Sequence, residues 1–350
     1  MVEERSSSTC GEGRTYNRGN EGDVPAAAAR RETMKTFVIG VSSKLDETSA
    51  VAMDPKGGVL GGVKARSCSY VTVGRGVAQR RASEMIDELL LSFHGDRERC
   101  QCLLVSAAGI DSPKTKQLVT ECFAASHMLC PVLCLNDGNV ALYTATKGLG
   151  VLAVSGKGSI AVGRNAQGQI TRSGGYPVTI LGNEGSAQWL ALEAMHLASQ
   201  WLDGSVERTP LIAKLDRHFR GLDIEKLTEC AGALRRRPID TMLSQLVIDS
   251  AREGDAAALD IVRRGAGALF KVAQTCVKKL GFGEEEEFLS GVWGDVFAKS
   301  EEYLAEYTRL FQAQYPRSRI VFSRQEEAQS AALMALDYLE GLIPYIASLQ

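Results

Sequence analysis

Several features are scarce in this 350-residue sequence, and each scarcity excludes a class of protein. No apolar run approaches the roughly 20 residues that cross a bilayer, and no signal peptide is apparent, so we expect a cytoplasmic protein without a membrane partner. The formal net charge is only −2, which argues against a nucleic-acid partner. The nine cysteines form no CxxC pairs, and we predict that they are reduced thiols of the interior.

Large apolar side chains are also scarce in residues 1–34, which are rich in Ser, Gly, Glu and Arg. Such a segment cannot bury enough surface to offset the entropy of ordering. We therefore predict a disordered tail there, with Met34 as a candidate start of the natural chain. A short C-terminal tail is predicted at residues 342–350.

The rest of the sequence consists of two similar halves, residues 35–147 and 148–341. Each half begins with three short strand patterns and continues with helices and further strands, and the second half also carries a helical insertion at 183–280. Strands that alternate with helices favour a parallel α/β layer. The repeated order predicts an α/β fold of two duplicated domains with a cleft between them.

Two short motifs are the best candidates for chemistry. Gly156-Lys157-Gly158 lies between two apolar strand patterns, and the backbone amides of such a hairpin can bind phosphate oxygens. Asn136-Asp137 follows another strand, where a carboxylate at the carboxyl edge can accept a proton from a substrate hydroxyl. Each motif also has a simpler explanation, since glycines form tight turns and Asp often caps a helix.

Two further segments carry polar or small residues at the ends of elements. Tyr176 precedes a helix start at Gly182–Ser186, where side chains and amides can meet sugar hydroxyls. Ser290-Gly291 ends an apolar strand, where small residues can admit the flat face of a nucleotide. Helix capping and close helix packing would explain the same residues.

Taken in order, these segments resemble the N-acetylglucosamine kinases of the BadF/BadG/BcrA/BcrD ATPase family, from Lys35 to about Leu339. That family has an Asp-Gly-Gly-Gly-Thr phosphate loop, an Asn-Asp catalytic segment, a Gly-Thr-Gly-Ser phosphate loop, a Gly-Gly-Trp-Gly segment, a Gly-Asp-Glu-Gly-Ser helix start and a Gly-Gly-Val adenosine segment. The counterparts here are 39–48, Asn136-Asp137, Gly156–Ser159, Gly174–Pro177, Gly182–Ser186 and Ser290–Val292. The resemblance implies an actin-like (ribonuclease H-like) fold, ATP and Mg²⁺ as cofactors, and a homodimer.

The first phosphate loop departs most from the family pattern. Ser42 replaces its carboxylate, three glycines are replaced by Ser43, Lys44 and Leu45, and Asp46 replaces its threonine. The new side chains occupy space that phosphate-binding amides need, and Asp46 repels phosphate. We therefore expect this loop to approach ATP phosphates poorly.

The resemblance also implies roles for individual residues, with Asp137 as the catalytic general base. The implied substrate-binding residues are Ser69, Asn136, Tyr176, Asn183 and Glu184. The implied ATP- and phosphate-binding residues are Gly156, Lys157, Gly158, Ser159, Ser290 and Gly291, and no metal ligand is predicted.

Three functions remain open from the sequence. The first is ATP-dependent phosphorylation of an amino sugar such as N-acetylglucosamine or glucosamine. The second, suggested by the altered first loop, is a pseudokinase that binds sugar or nucleotide and regulates a partner. The third, the iron–sulfur activator of a 2-hydroxyacyl-CoA dehydratase, is disfavoured because Ser155 stands where such activators carry a cysteine.

Overall fold

The computed structural model describes residues 36–110, 112–176, 182–234, 242–322 and 326–343. The tail predicted at 1–34 and most of the tail predicted at 342–350 lie outside these ranges. The first half contains β1 (Phe37–Ser43), β2 (Glu47–Met53), β3 (Val59–Arg66), α1 (Tyr70–Val73), α2 (Arg75–Ser92), β4 (Cys100–Ala107), α3 (Pro113–Ala124), β5 (Val132–Asn136) and α4 (Asp137–Thr146).

The second half repeats this pattern around a long helical insertion. It contains β6 (Gly150–Ser155), β7 (Ser159–Arg164), β8 (Ile170–Gly174), α5 (Ala187–Leu202), α6 (Pro210–His218), α7 (Ile224–Leu234), α8 (Met242–Arg252), α9 (Ala256–Leu280), β9 (Leu289–Trp293), α10 (Asp295–Lys299), α11 (Glu301–Gln314), β10 (Arg319–Phe322) and α12 (Glu327–Leu339). The segment between β9 and β10 contains two helices, α10 and α11. They are separated at Ser300, whose hydroxyl accepts a hydrogen bond from the Tyr303 amide and caps α11.

The two halves have the same sheet topology. The strand orders are β3-β2-β1-β4-β5 and β8-β7-β6-β9-β10. In each sheet the first three strands form an antiparallel meander, and the last two strands add parallel to the first. The predicted α/β fold with a duplicated arrangement is confirmed.

Alternation along β6 explains how the second sheet receives helices on both faces. Val151 and Ala153 face the large core formed with α5 to α11, whereas Leu152 faces a smaller cluster formed with α4. Successive strand side chains point to opposite faces, so an apolar run of this kind is suited to a strand covered on both sides.

Helix α4 lies between the two sheets. Its residue Tyr143 packs in a cluster with β1, β4 and α12, while Leu142 packs with Leu152 and Val162 of the second sheet. Because α4 begins at Asp137, the candidate catalytic residue lies where both sheets meet a shared helix.

The last helix, α12, packs on the first sheet, although it follows the second half in sequence. Ala331 and Ala332 join Val38 and Leu104 in one buried cluster. The approach is close at Gly40, where an added Cβ would lie 2.1 Å from the Ala328 carbonyl oxygen. Gly40 is thus required for α12 to reach β1. The domain boundary expected at residue 341 stays a prediction.

Candidate active site

Asp137 is the first residue of α4, directly after β5. The Asn136 side chain caps this helix, since its Oδ1 accepts a hydrogen bond from the Gly138 amide at 2.9 Å. The sequence placed Asp137 itself at the capping position, and the structure moves that role to Asn136. The Asp137 carboxylate therefore does not serve as the N-cap of the helix.

Asp137 lines a cavity of about 510 Å³, which we call the substrate-side cavity. This volume lies in the range of small-molecule sites. The sequence-predicted residues on its wall are Asn136, Asp137, Gly158, Ser159, Tyr176 and Asn183. The structure thus brings together the catalytic candidate, part of the second phosphate loop and three of the five predicted sugar contacts.

The second phosphate loop, residues 156–158, is a tight hairpin between β6 and β7. The Gly156 amide donates to the Gly158 carbonyl at 2.9 Å, and the Ala187 amide of α5 donates to the Gly156 carbonyl at 2.9 Å. An added Cβ at Gly156 would meet nothing within 4 Å among the described residues. Open space therefore lies beside a loop whose backbone is already fixed.

The side chain of Asn183 supports the second phosphate loop. Its Oδ1 accepts a hydrogen bond from the Ser159 amide at 3.2 Å, and an added Cβ at Gly158 would lie 2.6 Å from the same oxygen. Asn183 also has a positive φ of 73°, which Asn tolerates better than most residues. The predicted sugar contact thus also acts as a structural support for the phosphate loop.

Lys157 contacts the first phosphate loop directly. Its Nζ lies 2.9 Å from Oδ2 of Asp46, and both side chains are more than half exposed. The Lys157 ammonium lowers the pKa of the Asp46 carboxyl mainly through this hydrogen bond. The cation of one phosphate loop is therefore paired with the anion of the other.

The first phosphate loop, residues 43–46, is anchored through its carbonyl groups. Ser67 Oγ donates to the Lys44 carbonyl at 3.0 Å, and Thr72 Oγ1 donates to the Leu45 carbonyl at 2.8 Å. The Lys44 amide donates to the Glu47 carbonyl at 2.9 Å. This arrangement holds the loop in place and leaves Leu45 partly exposed at its tip.

The remaining predicted residues lie apart from the substrate-side cavity. Glu184 lines an adjacent cavity of about 640 Å³, which it shares with Tyr176 and Trp189. Ser69 is buried at the start of α1 and lines neither cavity. Its predicted sugar contact is not supported by this position.

Ser290 and Gly291 are both buried within β9. An added Cβ at Gly291 would lie 2.5 Å from the Ala145 Cβ of α4, so this glycine serves close helix packing. The end of the strand, Trp293-Gly294, lines a third cavity of about 340 Å³ instead. The nucleotide contact at Ser290 and Gly291 stays a prediction.

This third cavity, which we call the nucleotide-side cavity, adjoins the first phosphate loop. Ser42, Lys44, Gly294 and Glu327 are among the residues that line it. Gly294 also approaches the second phosphate loop, since an added Cβ would lie 3.1 Å from the Gly156 amide nitrogen. The first phosphate loop therefore lines this cavity, and the second lies close to one residue of its wall.

Glu327, in the first turn of α12, was not predicted from the sequence. Its side chain is only 9% exposed, and it accepts a hydrogen bond from the Ser106 hydroxyl. Burial raises the pKa of Glu327, and the negative charge of Asp137 raises it further, against the opposing effects of Ser106 and Lys44. The charge of the catalytic candidate therefore acts on a second, buried carboxylate.

Two other polar residues of the substrate-side cavity, Asn139 and Arg172, were also missed. Asn139 lies two residues after Asp137, in the first turn of α4, and Arg172 lies on β8. The sequence of β8, Ile-Thr-Arg-Ser-Gly, does not alternate between polar and apolar residues and gave no signal for Arg172. Nothing in the local pattern of α4 distinguishes Asn139 from an ordinary helix residue.

The described residues contain no group of three or more His, Cys, Asp or Glu side chains that could hold a metal ion. Their cysteines are free thiols, and Sγ of Cys100 lies 3.6 Å from Sγ of Cys130. Across the same ranges, no helix is both long enough and apolar enough to span a membrane.

A family model described as the BadF/BadG/BcrA/BcrD ATPase family matches residues 46–335. The chain is 25% identical over 264 residues to an N-acetylmuramic acid/N-acetylglucosamine kinase of Clostridium acetobutylicum, covering 73% of this chain and 84% of the relative. It is 26% identical over 318 residues to an N-acetyl-D-glucosamine kinase of Dictyostelium discoideum, covering 87% of this chain and 98% of the relative.

A crystal structure described provisionally as an N-acetylglucosamine kinase of Chromobacterium violaceum has the same fold. Its TM-score is 0.67 at 20% identity, and the match covers 86% of this chain and 99% of that one. Together with the paired sheets, this likeness confirms the predicted actin-like fold class.

Proposed function

Since the chain belongs to the BadF/BadG/BcrA/BcrD ATPase family, we propose that it is an ATP-dependent kinase of an amino sugar. The observation that carries the proposal is the substrate-side cavity, whose wall combines Asp137, Gly158 and Ser159. A general base and a phosphate loop on one wall are what phosphoryl transfer to a hydroxyl requires. The relatives named above are all described as kinases, which gives no support to the pseudokinase alternative.

The residues of the site fit a nucleotide polyphosphate. Gly156 leaves open space beside the second loop, and Lys157 carries a positive charge on the same hairpin. Lys44 adds a second cation at the nucleotide-side cavity. ATP supplies the phosphoryl group when bound, and these cations would offset the charge of its phosphates.

Asp137 is assigned the proton transfer. Its position at the end of β5 directs it toward the substrate-side cavity, where a sugar hydroxyl can donate a hydrogen bond to the carboxylate. As the hydroxyl oxygen forms its bond to the γ-phosphorus of ATP, the bond from that phosphorus to the ADP oxygen would break, and Asp137 would take the hydroxyl proton. The hydrogen bond from the Ser159 amide to the Asn183 side chain keeps the second phosphate loop in place during this step.

Amino sugars are the proposed substrates because N-acetylglucosamine appears in the names of both curated relatives. The wall contributes groups suited to a sugar, including Tyr176 as an aromatic surface and Asn139 as a polar group. The proposed acceptors are N-acetylglucosamine and glucosamine.

The test is ATP-dependent ADP release measured with N-acetylglucosamine, glucosamine, N-acetylmuramic acid and glucose. We expect release that depends on an amino sugar and exceeds the release with glucose. ADP release no greater than the sugar-free background with all four compounds would overturn the proposal.

A further inference from the structure

The end of β1 carries no carboxylate. Ser42 stands where the resemblance places the carboxylate of the first phosphate loop. Its side chain is 2% exposed and lines the nucleotide-side cavity. Within the described residues its Oγ makes no hydrogen bond of ordinary geometry, although it lies near enough to Glu327 to lower the pKa of that carboxyl. A buried hydroxyl so weakly satisfied is uncommon and leaves an oxygen available to a further group.

Helix α12 brings a carboxylate to the same place. The contact at Gly40 sets the backbone of Ala328 against β1 two residues before Ser42. Because Glu327 precedes Ala328, it is carried to the end of β1 and lines the same cavity as Ser42. The Ser42 hydroxyl lies near enough to favour the ionised form of Glu327.

The burial of Glu327 is not explained by helix stability alone. An acidic residue in the first turn of a helix is favourable, but exposed Glu326, one residue earlier, can supply that effect without losing its water. Among the described residues, Glu327 forms one ion pair, in which its Oε2 lies 3.8 Å from Nζ of Lys44. A buried carboxylate with one distant cation is costly, which favours a functional reason for its position.

We propose that Glu327 binds the divalent cation that accompanies the nucleotide phosphates, so that Glu327 replaces the carboxylate missing at Ser42, which lines the same cavity. This inference rests on the proposed kinase function. Divalent cations such as Mg²⁺ and Mn²⁺ take oxygen ligands, and Mg²⁺ in kinases is held by one or two carboxylates plus the phosphates of the nucleotide. The Ser42 hydroxyl supplies a further oxygen at the same wall.

The test measures binding of ADP without any turnover. ADP is titrated calorimetrically into each protein with EDTA and again with excess Mn²⁺, and the ratio of the two affinities is the metal enhancement. Bound Mn²⁺ is followed independently by the loss of its free electron paramagnetic resonance signal. The variants are Glu327→Gln and the control Glu340→Gln, which removes an exposed charge at the opposite end of the same helix.

We expect Glu327→Gln to lower the metal enhancement by at least about tenfold, since even groups that only support metal ligands contribute 10–100-fold to affinity. Its affinity for ADP in EDTA should equal or exceed that of wild type, because a negative charge beside the phosphates is removed, so the lower enhancement must appear as weaker binding in Mn²⁺. Binding of ADP in EDTA also shows that the variant is folded. Glu340→Gln should keep the wild-type enhancement. A Glu327→Gln protein with undiminished enhancement, or a wild type that binds ADP equally well with and without Mn²⁺, overturns the inference and leaves the kinase proposal standing.

The double variant Ser42→Asp/Glu327→Gln sharpens the result, because it returns the carboxylate to β1. We expect it to recover most of the enhancement lost in Glu327→Gln. Recovery supports a shared cation site, whereas an enhancement as low as that of the single variant contradicts it. A wild type that binds no ADP under either condition overturns the proposed function itself, and the inference with it.

Discussion

The two phosphate loops occupy the same position in two copies of one topology, yet they differ in chemistry. Each joins the first two strands of a meander. The second loop retains glycines and has open space at Gly156, whereas the first presents Lys44, Leu45 and Asp46. Sheet topology therefore preserves where a loop lies but not what the loop can bind.

The difference also shows how a lost group can be supplied from elsewhere. On the second side, Asn183 and the start of α5 hold the loop in place. On the first side, the carboxylate comes from α12, a helix more than 280 residues away in sequence. The experiments below test whether the second loop carries the chemistry and whether α12 compensates for the first.

The largest expected effect is that of Asp137→Asn, which removes the base beside the intact loop. We expect kcat for sugar phosphorylation to fall by about 10²–10⁴-fold, the usual contribution of a general base. Sugar affinity should change little, because an amide oxygen still accepts a hydrogen bond from the hydroxyl. Steady-state kinetics and sugar titration measure the two effects separately.

Glu88→Gln, an exposed carboxylate of α2, is the control for Asp137→Asn. It should match wild type in both assays. If Asp137→Asn retains full turnover while folding normally, Asp137 is not the base.

The next effect distinguishes two glycines within the second loop. In Gly158→Ala the new methyl group would meet Asn183 Oδ1 at 2.6 Å, so the support for the loop must shift. We expect this overpacking to lower the free energy of unfolding by about 1–3 kcal/mol. Chemical denaturation with urea provides the measurement.

Gly156→Ala is the matched partner, because its new methyl group would enter open space. Its free energy of unfolding should stay within about 0.5 kcal/mol of wild type. Its affinity for ADP should nevertheless fall, since the methyl group takes space beside the loop that the phosphates need. Equal stability losses in both variants would contradict the description of the second loop.

Much of the fold could be predicted from the sequence because alternation and turn residues are local signals. The three strands of each meander, the hairpin at Gly156 and the strand–helix junction at Asp137 all follow from such signals. Their order along the chain, which matches a known family, indicated how they assemble.

The rest depended on contacts between distant residues. Glu327 looks like an ordinary first-turn acid until Gly40 is seen to admit α12 to β1. Ser290 and Gly291 are small because α4 packs against β9, which a single strand pattern cannot distinguish from a nucleotide contact. Asn136 rather than Asp137 caps α4 because the helix begins at Asp137, with extended backbone angles at Asn136, and local patterns fix a helix start only to within one or two residues.

A smaller effect concerns the stability of the protein without nucleotide or metal. Burial raises the pKa of Glu327, so its ionisation disfavours the folded state as pH rises above the ordinary value of 4.5. Glu327→Gln removes this penalty, and each unit of pKa is equivalent to about 1.4 kcal/mol. We expect a higher Tm than wild type at pH 7, with the difference shrinking toward pH 4. A Tm below wild type at pH 7 would mean that the carboxylate stabilises the apo fold.

The smallest expected effect is that of Asp46→Asn, which removes the ion pair between the two phosphate loops. The ion pair between Lys157 and Asp46 is exposed, and such pairs contribute only about 0.2–1 kcal/mol to stability, so Tm should change little. The affinity for ADP should rise at low ionic strength, because Lys157 is released and a negative charge near the phosphates is removed. This gain should diminish as salt screens the exposed charges. Lys157→Ala should lower the affinity for ADP. If the first phosphate loop acts mainly by pairing Asp46 with Lys157, the double variant Asp46→Asn/Lys157→Ala should have the ADP affinity of Lys157→Ala. An ADP affinity that Asp46→Asn leaves unchanged at low salt would show that the two loops bind independently.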